Sequence, residues 1–327
     1  MKIPFVDLKN EFKRVLLNLS FTEEKAELCA GIFAGNSRDG VYSHGLNRFP
    51  YFVSTVKEGL VDIHAEPEFI ERNALIEIWD GHSGAGMYNA TLAMNKAIEL
   101  AKFNGIGCLA MRNTNHWMRG GTYGWQAADA GCIGICFTNT MANMPPWGGK
   151  EPRLGNNPLI IAVPRNEGHI VLDMAMTQYS YGKLQQSRLN NEELEVNAGY
   201  DEDGNLTKDP LAIIKSRRAL PIGYWKGSGL AFILDVLLTA ISGGRSTAAI
   251  NSTVNESGVS QFFLCLHQSD YHQGLIDEII QYTKSSAPAE PGGHIRYPGE
   301  NTLAIRRMNE EHGIPVEERI WEELLKM

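Results

Sequence analysis

His44 and Arg48 stand four residues apart in Val41-Tyr-Ser-His44-Gly-Leu-Asn-Arg48-Phe-Pro, just past a helical stripe. On a short helix that spacing puts both side chains on one face, so an acid and a cationic clamp would point into one cleft. His116 occupies a second such stretch, Arg112-Asn-Thr-Asn-His116-Trp-Met-Arg119-Gly-Gly, behind an apolar run that reads as a strand. Loops at strand ends commonly carry function, although either histidine alone could equally be a hydrogen-bonded structural residue. A third feature is Gly223-Tyr-Trp225-Lys226-Gly-Ser-Gly at the mouth of an apolar helix. Free N–H groups there, with Lys226 beside them, would seat an anion such as a pyrophosphate; the alternative is an ordinary glycine-rich entry turn.

Other patterns fall away. Gly105-Ile-Gly107-Cys-Leu-Ala110 has dinucleotide-binding spacing, but it follows a helix and enters a strand, whereas a phosphate-cradling loop leaves a strand and opens a helix. Gly81-His-Ser-Gly84-Ala-Gly86 has the right context with its glycines one position out. The remaining histidines lack company at ligand spacing, so no metal site is expected. Five cysteines without a C-x-x-C pair, set among apolar neighbours, read as buried reduced thiols.

These residues must be positioned by a chain of 327 residues, long enough for one large domain or two modest ones. Hydrophobic residues at 43% and charged residues at 21% exclude disordered and coiled-coil compositions. A net charge of −8 leaves no nucleic-acid footprint. No export signal develops at the start of the sequence, and the most apolar segment, 230–241, is shorter than a membrane span and holds Asp235. No membrane partner is expected, and a cytoplasmic location is.

Apolar periodicity predicts a helical region over residues 1–74, a sheet-containing domain over 75–297 and C-terminal helices at 298–327, and those last helices are expected to join the first region. Strands are expected at 75–79, 106–111, 133–139, 159–163, 170–174 and 261–267, with helices at 92–102, 125–130, 229–241 and 273–283. The result is an α/β fold with helices packed on a sheet.

Taken together, Tyr42-Ser-His44-Gly-x-x-Arg48, Arg112-Asn113 through His116, Gly155-Asn156-Asn157-Pro158, Leu172-Asp173-Met174-Ala175 and Trp225-Lys226-Gly-Ser-Gly resemble the malate/L-lactate dehydrogenase-like oxidoreductases along essentially the whole chain. The resemblance implies a non-Rossmann, mixed and largely antiparallel sheet flanked by helices, and a homodimer with its cofactor near the subunit interface. It implies NADH-dependent reduction of a 2-keto carbonyl beside a carboxylate, the substrate being a keto sugar acid. In that likeness His44 matches the proton donor. His169, Ile170, Val171, Leu172, Asp173, Met174 and Ala175 match a segment along the cofactor, Trp225 and Lys226 match its pyrophosphate-side contact, and Gly299, Glu300 and Asn301 match a third cofactor contact. Asn156 departs from the threonine common in the family. A positioned acid is what ketone reduction needs, because negative charge develops on oxygen. His44 is expected to be charged beside an anionic substrate, Arg48 to fork onto the substrate carboxylate, and His116 to donate to the same carbonyl or a neighbouring hydroxyl. A family member acting on malate, lactate, ureidoglycolate or a cyclic imine, and a non-catalytic sugar-acid binding protein, are the alternatives.

Overall fold

In the computed structural model, which describes residues 1–253 and 255–327, a two-residue strand, β1 (Lys2–Ile3), leads into α1 (Phe5–Asn18), α2 (Glu23–Arg38) and α3 (Phe49–Lys57). Leu8, Phe12, Val15 and Leu16 form the buried stripe of α1. The Thr22 hydroxyl caps α2 by accepting from Lys25 N, satisfying one of the donors a helix start leaves over. Phe12, Phe33 and Phe49 meet with ring centroids 4.5–5.7 Å apart, so the three helices share one core.

Next come β2 (Glu68–Asn73), β3 (Ile76–Asp80), α4 (Gly86–Asn104), β4 (Ile106–Thr114), α5 (Gly121–Asp129), β5 (Ile133–Thr138), β6 (Leu159–Val163) and β7 (Ile170–Met174). A smaller unit follows with α6 (Tyr181–Leu189), β8 (Gly199–Tyr200), β9 (Leu206–Thr207) and α7 (Pro210–Ser216). The rest is α8 (Trp225–Ser242), α9 (Thr247–Ile250), β10 (Val259–Leu266), α10 (Gln273–Lys284), α11 (Glu300–His312), β11 (Ile314–Pro315) and α12 (Glu318–Lys326).

The main sheet runs β2-β3-β4-β10-β5-β6-β7. Only β3 and β4, joined by the α4 crossover, are parallel; the other neighbours are antiparallel. Side chains alternate across a strand, so Leu109, Met111 and Phe263 face α4 and α5, while Cys108, Ala110 and Phe262 face Ala231, Leu234 and Leu238 of α8. All five cysteines are buried and free, as the sequence predicts. Ile314 and Leu324 join the core of α1–α3, and β11 pairs with β1.

Several elements differ from expectation. The sheet begins at Glu68, ahead of the predicted start at 75, because β2 is an edge strand exposed along its length and carries no alternation to read. Two helices in the region 181–216 were not predicted. The last 28 residues are two helices interrupted by β11. Finally, α8 is longer than the sequence suggests. With 18 residues, a third of them buried, it has the length and apolar composition of a membrane-crossing helix. Its Asp235 is tied inward, accepting from Asn139 Nδ2 at 2.9 Å and from Thr247 N.

Candidate active site

His44 and Arg48 do not share a helix. Two single 3-10 turns, Tyr42–His44 and Leu46–Arg48, are separated by Gly45, where an added Cβ would lie 2.1 Å from Ser37 Oγ and 2.8 Å from Ser37 N. The segment is pressed onto the end of α2: Ser37 Oγ accepts from Leu46 N at 2.9 Å, and Asn36 Nδ2 donates to His44 O at 2.9 Å. Tight contact with α2, rather than helical register, is what aims both side chains into one cleft.

The loop after β4 brings His116 to the same place. Asn115 Nδ2 donates to Leu60 O, Ser83 O and Gly84 O, while Gln261 Nε2 donates to Asn115 O, so the residue before His116 is held from four directions. The His44 and His116 rings lie nearly parallel, 6.0 Å apart at 15°. Their Nδ1 atoms differ in partner. His116 Nδ1 accepts from Met118 N at 3.0 Å, which leaves the proton on Nε2; His44 Nδ1 meets the Ser43 hydroxyl at 3.0 Å. Arg48 lies over the Tyr51 ring, 4.1 Å from its centroid, and among the described residues its buried Nε has no partner.

Burial and the Arg48 charge press the His44 pKa down from 6.5 to about 4, against a smaller upward pull from Asp173. Burial, Arg48 and His44 push His116 well below its ordinary value. Without ligand both imidazoles are therefore neutral; the charge expected on His44 beside an anionic substrate belongs to the ligand-bound state.

The cleft measures about 1580 Å³, more than a single small ligand requires. His44, Arg48 and His116 line it together with Val171, Leu172, Asp173, Ala175 and Gly299. Gly299 closes it along the free edge of β7: at φ +94°, its missing Cβ would lie 2.9 Å from Val171 N, and Val171 N donates to Pro298 O at 3.0 Å. Arg119 braces the floor, with Nε to Asp173 at 3.1 Å and Nη1 to Asp39 at 2.9 Å. Burial alone would raise the Asp39 carboxyl, but Arg306, Arg119 and Arg38 outweigh it and hold it below the usual carboxylate value.

The other sequence-predicted residues do not line this cleft. His169 donates from Nε2 to Asp129 at 3.0 Å and accepts from Arg165 N at Nδ1, so both ring nitrogens are engaged. Ile170 and Met174 sit in the β7 ladder, Glu300 pairs with Lys284, and Asn301 is exposed. Trp225 and Lys226 are exposed at the start of α8, beyond the cleft of their own chain. The seat of free N–H groups expected there is largely taken: Lys226 N, Gly227 N and Ser228 N donate to Gly223 O, Ile222 O and Tyr224 O. Sequence reasoning missed Arg119 as a brace and Glu256, whose Oε2 accepts from Met141 N at 2.8 Å; a lone acid in a polar loop carries no spacing signal.

A mixed sheet of this order, with two histidines and an arginine facing one cleft, is the frame of a dehydrogenase outside the Rossmann class. The chain belongs to the malate/L-lactate dehydrogenase family, whose pattern it matches over residues 3–325, and it is an oxidoreductase acting on CH–OH groups. It is 46% identical over 330 residues to 2,3-diketo-L-gulonate reductase of Haemophilus influenzae, covering 99% of both chains. To the Escherichia coli K12 protein of the same name it is 44% identical, with 98% of both covered. Among solved structures, malate dehydrogenase of Pyrococcus horikoshii superposes with a TM-score of 0.89 at 29% identity, over 100% of this chain and 94% of that one.

Proposed function

We propose that the protein reduces the 2-keto group of 2,3-diketo-L-gulonate to give 3-keto-L-gulonate, with NADH as reductant and His44 as proton donor. The observation that carries this reading is the difference between the two Nδ1 partners. An imidazolium at His116 would set its Nδ1–H against the Met118 N–H. The Ser43 hydroxyl beside His44 can turn to accept instead, so His44 can gain and lose a proton without losing its partner. Binding a keto acid supplies the charge: its carboxylate on Arg48 cancels the cation that depresses His44 and adds an anion nearby, raising the pKa. His44 then gives its proton to the carbonyl oxygen as negative charge develops there, and the fixed Nε2–H of His116 donates to the same oxygen or a neighbouring hydroxyl.

The residues present fit a nicotinamide cofactor. The wall of Leu172, Asp173, Ala175 and Gly299, where the absent Cβ lets Gly299 lie close against Val171 N and His169 O, would hold it beside the histidines, and bound there it supplies hydride to the carbonyl carbon. Asp173, fixed by Arg119, orients polar groups along that wall.

A homodimer is part of the reading. Trp225, Phe232, Ile233, Val236 and Leu237 leave a large apolar face of α8 exposed, of the kind that marks an association surface. It is continuous with Trp225 and Lys226, so a second copy seated there would bring these residues toward a cleft other than their own. Five reduced thiols fit the cytoplasm.

The test is consumption of NADH and, separately, NADPH with 2,3-diketo-L-gulonate, oxaloacetate, pyruvate and a cyclic imine acid. The expected result is the highest kcat/KM for the diketo acid with NADH. A clear preference for oxaloacetate or the imine transfers the protein to another reaction of its family, and no turnover with any of them favours a binding protein.

A further inference from the structure

Glu256 has no part in the chemistry above, yet it faces the same space. It borders the main cleft and the small pocket behind it, and Arg48, Tyr51 and His116 border both as well. Among the described residues, neither Arg48 nor Glu256 forms an ion pair within 4.0 Å. A cation and an anion therefore share one wall of the cleft without closing on each other. One carboxylate oxygen is committed to Met141 N; among the described residues no donor reaches the other. Glu256 is enclosed by protein but still open to the cleft, and burial raises its pKa against the lowering effects of the Met141 amide and Arg48.

What can fill that space follows from hydrogen-bond capacity. An ionised carboxylate only accepts, so the group beside Glu256 must donate. A hydroxyl does so; a methyl group leaves the carboxylate unsatisfied, and a second carboxylate repels it. We propose that Glu256 is a specificity-determining residue that accepts a hydrogen bond from a substrate hydroxyl two carbons beyond the reacting keto carbon, the position of the 4-hydroxyl of 2,3-diketo-L-gulonate, so that the cleft selects hydroxylated keto acids over simple ones and over dicarboxylates. The neighbouring wall offers the complementary half of hydroxyl pairing, since Asn156 Oδ1 accepts from Thr140 Oγ1 at 2.9 Å and from Asn143 Nδ2 at 3.0 Å, leaving the Asn156 amide N–H groups to donate. Discrimination of this kind is strong because a site built to pair with a hydroxyl is left with an unpaired buried group when the hydroxyl is missing. Repulsion supplies the other half of the selection.

The inference rests on the keto-acid reductase reading, and the test separates the two. 4-Hydroxy-2-oxobutanoate and 2-oxobutanoate share a carboxylate and a keto group and differ by one hydroxyl at that carbon; oxaloacetate carries a carboxylate there instead. kcat and KM for all three, and for 2,3-diketo-L-gulonate, are measured with the native chain and with Glu256→Gln. The substitution keeps an acceptor for Met141 N and removes the charge. The ratio of kcat/KM for 4-hydroxy-2-oxobutanoate to that for 2-oxobutanoate is expected to fall about tenfold or more, mainly through KM, and oxaloacetate to gain relative to 2-oxobutanoate by a similar factor. A Glu256→Gln protein that changes on every substrate in proportion would overturn the inference, because that is what a structural role produces; so would ratios that do not move. A native chain that turns over no keto acid sinks the reductase reading and this one together, whereas a native chain active on keto acids with unmoved ratios sinks only this one. Thermal melting of both proteins shows whether Glu256→Gln is folded.

Discussion

Arg48 presses on both histidines, and the direction of that pressure sets how the ligand-free protein responds to acid. In the unfolded chain His44 takes up a proton near its ordinary value of 6.5, whereas in the fold it resists until about 4. Between those values the unfolded state binds more protons, so stability is complete above pH 6.5 and declines as pH falls through the window. His116 adds to the decline in the same direction. The melting temperature of the ligand-free protein is therefore expected to drop on acidification from pH 7 to 4.5, and in His44→Asn the drop is expected to be shallower. Parallel pH profiles for the two proteins would show that His44 is not the buried neutral group described here. The same cation that makes His44 a poor base without ligand makes it responsive to an anionic one, because cancelling Arg48 removes the main charge opposing protonation.

At the scale of elements, the legible part of the fold is the part with a strong period. Leu8, Phe12, Val15 and Leu16 give α1 away, and the apolar runs of β4, β5 and β10 give away the sheet's interior, since strands covered on both faces need no polar alternation. What could not be read lies at edges and in long-range pairings. Glu68, Glu71 and Arg72 make β2 look like a loop because an edge strand in water has no buried face to advertise. Spacing brought His44 and Arg48 together for a reason that does not hold: proximity comes from Gly45 seated against Ser37, a contact no local pattern encodes. The brace formed by Asp39, Arg119, Asp173 and Arg306 joins α2, the loop after β4, β7 and α11. Each member looks like an ordinary surface charge in sequence. Buried in the fold, the set fixes the floor of the cleft, and removing one member would leave others charged and unpaired.

For the whole molecule, the central question is what covers α8. Its inner face is packed under the sheet, and its outer stripe, from Trp225 through Phe232 to Leu237, is exposed. If a second copy covers it, Phe232→Glu places a charge in an apolar interface. That variant is expected to sediment as a monomer with unchanged secondary structure and to lose NADH-dependent turnover. An unaltered sedimentation coefficient would move the interface elsewhere.

The claim on which all of this turns is that a proton travels from the His44 imidazole to the substrate oxygen. Steady-state turnover of His44→Asn, alongside NADH binding followed by quenching of protein fluorescence, tests it most directly. The account predicts a fall in kcat of about 10²-fold or more with NADH binding retained. Turnover within a few-fold of the native protein would contradict it and hand the proton to another group in the cleft.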